Sequence, residues 1–167
     1  MKTALTLEDR ALRKALRYLR RRLHDNAAMM DGIGAAWADR VRLGFHDGRD
    51  PWGDPWAPLK PSTIARRRNR SDQPLRDTGR LRSSIYHRAG RDWLEVGLAA
   101  KYAGTHQFGA RKGQYGRTRR GAPIPWGDVP ARPMLPASGR HVLLPREWQT
   151  DARDAVVDHL KRGLPRA

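Results

Sequence analysis

The residues of this chain that could do chemistry are six histidines, four turn-borne aspartates, a serine pair and two arginine-rich stretches. His24, His46, His87, His106, His141 and His159 are scattered along the chain. No two stand at the spacing that puts ligands on one helix face, and none has a carboxylate at metal-site spacing. Asp50, Asp54, Asp72 and Asp77 could serve as general acids or bases, but each sits beside Pro, Gly, Ser or Thr. In that setting an aspartate caps a helix or closes an Asx turn, which explains it without chemistry. Ser83-Ser84 lacks the Gly-x-Ser-x-Gly elbow of a nucleophile. No phosphate-cradling Walker loop and no dinucleotide fingerprint occurs, and Gly32-x-Gly34 alone carries no nucleotide signal. With no cysteine, a disulfide framework and thiolate metal ligation are both excluded. The expectation is a protein without catalytic residues, cofactor or metal.

The arginines point to binding instead. One run covers Arg66-Arg67-Arg68-Asn69-Arg70. The other, over 109–127, holds Arg111, Lys112, Arg117, Arg119 and Arg120 with no acid. Guanidinium groups pair bidentately with phosphate or carboxylate, and Tyr115 within the second run could stack on a base. The alternative for both is a solvated surface. The chain has 34 basic and 17 acidic residues, a formal charge of +17, which favours an acidic partner: nucleic acid, an anionic surface or an acidic protein. Only six of the basic residues are lysines, a bias that a GC-rich genome would give; it explains the choice of arginine and not the total charge.

The elements that must carry these residues follow from periodicity. At 167 residues the chain is expected to form a single domain over 1–167: an N-terminal helical region at 1–45, a central core at 46–142 and a C-terminal helix at 143–167. Hydrophobic content of 38% and a mean hydropathy of −0.81 imply a modest core, and 12 Pro and 16 Gly imply much irregular structure. Thr6, with Asp9 three residues on, reads as the N-cap of a first helix whose Leu12, Leu16, Leu19 and Leu23 share one face. That stripe is too short for a coiled coil and reads as core or subunit interface. Asp25-Asn26 with Gly32 and Gly34 predicts a break, followed by a second helix with Ile33, Trp37, Val41 and Phe45 on one face. Pro51, Pro55, Pro58 and Pro61 exclude helix and central strand over 47–61, so this segment reads as a lasso packed on the domain by Trp52 and Trp56.

Ser62 is expected to cap a short helix running to Asn69, and Thr78 another to about Ser84. Strands are expected at 85–89 and 93–98, joined by Gly90-Arg91-Asp92, with a short helix or turn over 100–108. The basic 109–127 segment reads as a long mobile loop, and 123–135 as extended chain offering edge strands. A last helix over 146–162 carries Trp148, Ala152, Val156 and Leu160 every four residues, with Ala155 and His159 alongside, and Gly163 and Pro165 stop it. No apolar run approaches the roughly 20 residues that span a bilayer. Residues 1–10 lack the apolar segment of a signal peptide, so a soluble cytosolic product is expected.

Four blocks then stand out as an ordered set: 50–59 (Asp-Pro-Trp-Gly-Asp-Pro-Trp-Ala-Pro-Leu), 75–81 (Leu-Arg-Asp-Thr-Gly-Arg-Leu), 101–109 (Lys-Tyr-Ala-Gly-Thr-His-Gln-Phe-Gly) and 130–135 (Pro-Ala-Arg-Pro-Met-Leu). In this order and spacing the chain, from about Phe45 to Leu135, resembles the phage virion morphogenesis family. That family holds tail-completion and head–tail joining proteins of Mu-like and P2-like contractile-tailed phages. The matching positions are Asp50, Pro51, Gly53, Trp56, Leu59, Thr63, Leu75, Thr78, Gly79, Leu81, Tyr102, Ala103, His106, Gln107, Gly109, Pro130, Ala131, Arg132 and Leu135. The resemblance implies that most of them determine the fold, with His106 and Gln107 as hydrogen-bonding residues that fix local backbone. Two departures are Met134 and Pro136, where the family pattern often has Phe and Gly.

The fold expected is α+β, with N-terminal helices and a C-terminal helix packed on a small, mainly antiparallel sheet, and long loops that order on assembly. The resemblance implies a structural virion protein that completes or terminates the tail and joins it to the capsid. It would act as a homo-oligomeric ring, a hexamer in the assembled virion, at the head-proximal end of the tail. Its partners would be tail tube and sheath proteins, head-completion or connector proteins and packaged DNA, with no membrane. Its place would be the virion tail or neck, and the host cytoplasm during assembly. Trp52, Trp56, Arg111, Lys112, Tyr115, Arg117, Arg119 and Arg120 are the candidate interface residues. The rival reading from composition is a basic nucleic-acid-binding protein, although no recognition-helix, zinc-finger or RNA-binding motif is present.

Overall fold

The computed structural model describes residues 10–22, 26–67, 72–138 and 141–162. In chain order these form α1 (Arg10–Arg22), α2 (Ala27–Asp47), α3 (Pro61–Arg66), α4 (Arg80–Ser83), β1 (Ile85–Ala89), β2 (Leu94–Leu98), α5 (Ala103–Phe108), β3 (Ala137–Ser138), β4 (His141–Val142) and α6 (Arg146–Lys161). The class is α+β. No helix among the described residues is long and apolar enough to cross a membrane.

The central element is α2. Its Ile33, Ala38, Val41 and Phe45 are buried, as their helical spacing requires. One side of the helix lies on the β1–β2 hairpin, an antiparallel pair with Ile85 opposite Leu98 and Ala89 opposite Leu94. Another side takes α6, and α1 touches α6 in turn. The core gathers Phe45, Trp56, Leu75, Leu81, Ile85, Met134 and Trp148. Met134 thus fills a core position at 3% exposure where the family pattern often places Phe.

Several local expectations are corrected. Gly32 and Gly34 do not break the helix; α2 runs through both. At Gly34 the reason is visible: a Cβ there would stand 3.1 Å from the His87 ring on β1, so glycine lets helix and hairpin approach. Ser62 lies inside α3, whose N-cap is Lys60 with Pro61 leading the helix, as a proline with no N–H to lose can do. Thr78 is not the cap of α4 either; Gly79 holds that position at φ 76°. The buried face of α6 is Trp148 and His159, while Val156 stays exposed, because the contact with α2 follows the 3.6-residue turn rather than every fourth residue. On α1, Leu16 is half exposed. The Thr6 and Asp9 capping pair, Leu23, Asp25, Arg68, Asn69, Arg70, Gly163 and Pro165 lie outside the described residues, as do the side chains of Leu12 and Val142.

The largest correction concerns 109–127. This segment is paired with itself. Ala110 and Val129 exchange backbone hydrogen bonds of 2.9 and 2.8 Å, Tyr115 N donates to Ile124 O at 2.8 Å, Ile124 N to Gly116 O at 2.8 Å, and Thr118 N to Ala122 O at 2.8 Å. A bridge pairs Arg117 with Pro123. The segment is an antiparallel finger whose tip is the Thr118–Gly121 turn, closed by Gly121 N to Thr118 O at 2.9 Å. Its sequence shows no alternation because it covers no core; backbone hydrogen bonds carry the pairing, with Gln114, Asp128, Arg117 and Thr118 side chains adding to it.

Candidate functional site

The first, third and fourth sequence blocks meet in one knot, and the second sends Leu75 and Leu81 into the core. The first block is a closed lasso. Asp50 Oδ1 accepts from Trp52 N at 2.9 Å and Asp54 N at 3.0 Å, an Asx turn, and Arg49 bridges to Pro55. Trp56 N then donates to Gly48 O, which turns the indole inward to 5% exposure, edge-on to Phe45 at 5.3 Å. Trp56 Nε1 donates to Pro133 O at 2.7 Å. Arg132 reaches back from the fourth block: Nε donates to Ala57 O at 2.7 Å and Nη2 to Pro58 O at 3.0 Å. A guanidinium is suited to this, because its fork can satisfy two carbonyls at once. Burial, then the nearby Arg67, lowers the Arg132 pKa.

Gln107 on α5 ties the same strap to the third block. Its Oε1 accepts from Met134 N at 2.8 Å and Leu135 N at 3.0 Å, and its Nε2 donates to Leu135 O at 2.8 Å and Ala137 O at 3.1 Å. A buried primary amide is the side chain that can both donate twice and accept twice. Gly109 ends α5 at φ 73°, and a Cβ there would lie 2.9 Å from Ala131 N and from Val129 O, so only glycine fits. His106 acts differently from the sequence expectation. Its carbonyl accepts from Arg132 N at 2.7 Å, while its buried Nδ1 has no hydrogen-bond partner and its ring meets Tyr102 edge-on at 5.9 Å. Burial, then Arg132 and Arg67, hold the imidazole below its ordinary pKa.

The remaining motif positions are more peripheral. Leu75 and Leu81 enter the core, Ala103 is buried, and Leu59 and Leu135 are half buried. Leu75 holds a left-handed backbone at φ 60°, kept there by burial of its side chain. Thr63, Thr78, Pro130 and Ala131 are exposed, and Pro51 and Gly53 line a surface groove.

That groove, of about 500 Å³, runs between the end of α2, the lasso and the start of α6. Trp52 lies on it at 43% exposure, beside Leu43 at 55%. So the two lasso tryptophans part company: Trp56 anchors the fold and Trp52 faces out. The groove wall is braced by contacts the sequence reading missed. Arg40 forks onto Asp151 through Nε and Nη2 and onto Glu147 at 2.7 Å, and Trp37 Nε1 donates to the Trp148 carbonyl at 3.0 Å. The available signal was the pair of acids four residues apart on one helix, Glu147 and Asp151, with Arg40 on the neighbouring helix to meet them.

The finger carries the other candidate residues. Arg111, Lys112, Tyr115, Arg117, Arg119 and Arg120 are all exposed, with Arg119 and Arg120 in the tip turn. Arg117 Nη1 donates to Gly121 O at 2.8 Å, which stiffens the tip. The Tyr115 hydroxyl accepts from Thr105 at 3.2 Å and ties the finger to α5. Trp126, at 71% exposure, is the most exposed of the large apolar residues, and Phe108 and Ile124 are exposed nearby in sequence. No hydrogen bond among the described residues joins finger and groove within one molecule. Among the described residues no group of three His, Asp or Glu side chains could hold a metal ion. What this arrangement offers is contact surface: a rigid knot, a groove of mixed apolar and charged lining, and a basic, aromatic projection.

Among protein families, the one described as the phage virion morphogenesis family matches residues 7–163. Comparison with curated proteins and with solved structures finds no match.

Proposed function

Because this chain belongs to the phage virion morphogenesis family, we propose that it completes or terminates the phage tail and joins it to the capsid, as a ring of identical subunits at the head-proximal end. Its role is structural and not enzymatic. The observation that carries this reading is the knot. Family-motif residues lock the lasso, α5 and the 130–137 strap together through Trp56, Gln107, Arg132 and Gly109. The locked knot leaves Trp52, Leu43, Phe108, Tyr115, Ile124 and Trp126 facing solvent. Four of these six are aromatic, the residue class that anchors protein contacts.

A head-to-tail contact between identical subunits closes a ring when two different surfaces of each copy meet. The groove beside Trp52 is one such surface, and it would take an unlike face of the neighbouring copy. Tail tube, sheath and connector proteins are the neighbours the ring would touch. The test is electron microscopy of lysates of the parent phage with this gene deleted. Filled heads beside unattached tails mean a joining role, and abnormally long tails mean length termination. Normal infectious particles would refute the proposal.

A further inference from the structure

We propose that the 110–129 finger is a duplex-DNA contact that grips the sugar-phosphate backbone without reading sequence. This goes beyond the structural role above and does not depend on it, since it concerns what the purified chain binds.

The first ground is unspent charge. Arg111, Lys112, Arg117, Arg119 and Arg120 stand within ten residues, and the finger's one acid, Asp128, accepts a hydrogen bond from Lys112 N at its base. Among the described residues none of the five makes an ion pair. Arg117 is occupied with the Gly121 carbonyl, which leaves four cations directed at solvent.

The second ground is shape. The backbone ladder from Ala110–Val129 to Thr118–Ala122 fixes the finger before any partner arrives, so little ordering entropy opposes binding. A two-stranded ribbon fits the major groove of a duplex, and arginines in its tip turn would meet the flanking phosphates. The turn offers no Asn or Gln for a bidentate contact to adenine, and its two arginines are the residue type that pairs bidentately with phosphate.

The third ground decides between partners. A second copy of this chain, also at +17, brings no net negative charge to offset the finger. A polyanion is needed. Duplex DNA supplies one negative charge per about 1.7 Å of its axis, and the counterions released on binding drive association.

The experiment is fluorescence anisotropy of a labelled, mixed-sequence duplex titrated with the full chain over a salt series. Wild type is compared with Arg119→Gln/Arg120→Gln and with Arg82→Gln/Arg153→Gln, which makes the same charge change on α4 and α6. All four positions are exposed, and thermal melts check that both variants fold. The finger variant should bind roughly 10-fold more weakly at fixed salt, with a salt slope shallower by about two. The control should move less than about twofold in affinity. Arg119→Lys/Arg120→Lys should keep the slope, because it keeps the charges. Equal losses in finger and control variants, or no binding at low salt, would overturn the proposal. So would polyglutamate displacing the protein as well as unlabelled duplex does, charge for charge, which would assign the finger to an acidic protein.

Discussion

Trp52 and Trp56 sit in the same tripeptide, Asp-Pro-Trp, four residues apart, and end in opposite environments. Nothing local separates them; the difference arises where Trp56 N meets Gly48 O and its indole reaches Pro133, 77 residues away in sequence. Trp56→Ala should therefore cost about 3–5 kcal/mol of stability, and Trp52→Ala about 1 kcal/mol or less, in urea unfolding. Gln107 is the second residue-scale test. Gln107→Ala strands two backbone N–H groups and two carbonyls of the strap, and should cost about 2–4 kcal/mol. That a buried Gln inside the Tyr-Ala-x-x-His-Gln-Phe-Gly block fixes backbone is legible from its chemistry. That His106 does so through its carbonyl, with Nδ1 unpartnered, is not, because it depends on the depth to which α5 is buried. His106 also makes a pH prediction. Its folded pKa lies below the ordinary 6.5, so below that pH the unfolded chain takes the proton more readily than the folded one. Stability should fall as pH drops from about 7 to 5, and the fall should be shallower in His106→Gln, read from unfolding curves at each pH.

At the scale of elements, periodic apolar spacing located α2, β1, β2 and α6, because each buries a face. It failed where burial is not the cause of the structure. The finger is held by a backbone ladder with both faces in solvent, so it leaves no pattern to read, and its glycines suggest mobility instead. Helix starts failed for a related reason. Ser62 and Thr78 have capping chemistry, but Pro61 and Gly79 set the backbone at those points and take the start of each helix. The strap offers the clearest test at this scale. Gly109→Ala would force a Cβ to within 2.9 Å of two backbone atoms at a left-handed φ. It should destabilise by more than about 1 kcal/mol, and hydrogen exchange should rise first at Arg132 and Leu135 N, whose partners α5 supplies.

For the whole molecule, composition alone pointed to an acidic partner and the four blocks to a virion role, but neither showed how the surfaces are divided. The fold places a groove at the junction of α2, lasso and α6, and a cluster of exposed cations on a separate finger. The groove suits the neighbouring copy of a head-to-tail ring, and a finger of exposed cations suits the nucleic acid that such a ring would surround. Trp126→Ser, at the most exposed aromatic, should leave the melting temperature within about 2 °C of wild type. It should nevertheless fail to restore plaque formation to a phage lacking the gene. The most direct measurement is a cryo-electron microscopy reconstruction of the head–tail junction of the intact particle. The expected density is a closed ring of this fold at the head-proximal tail end, with neighbouring copies in contact through unlike faces and the fingers turned toward the DNA channel. A junction built without this chain, in particles that are complete and infectious, would contradict it.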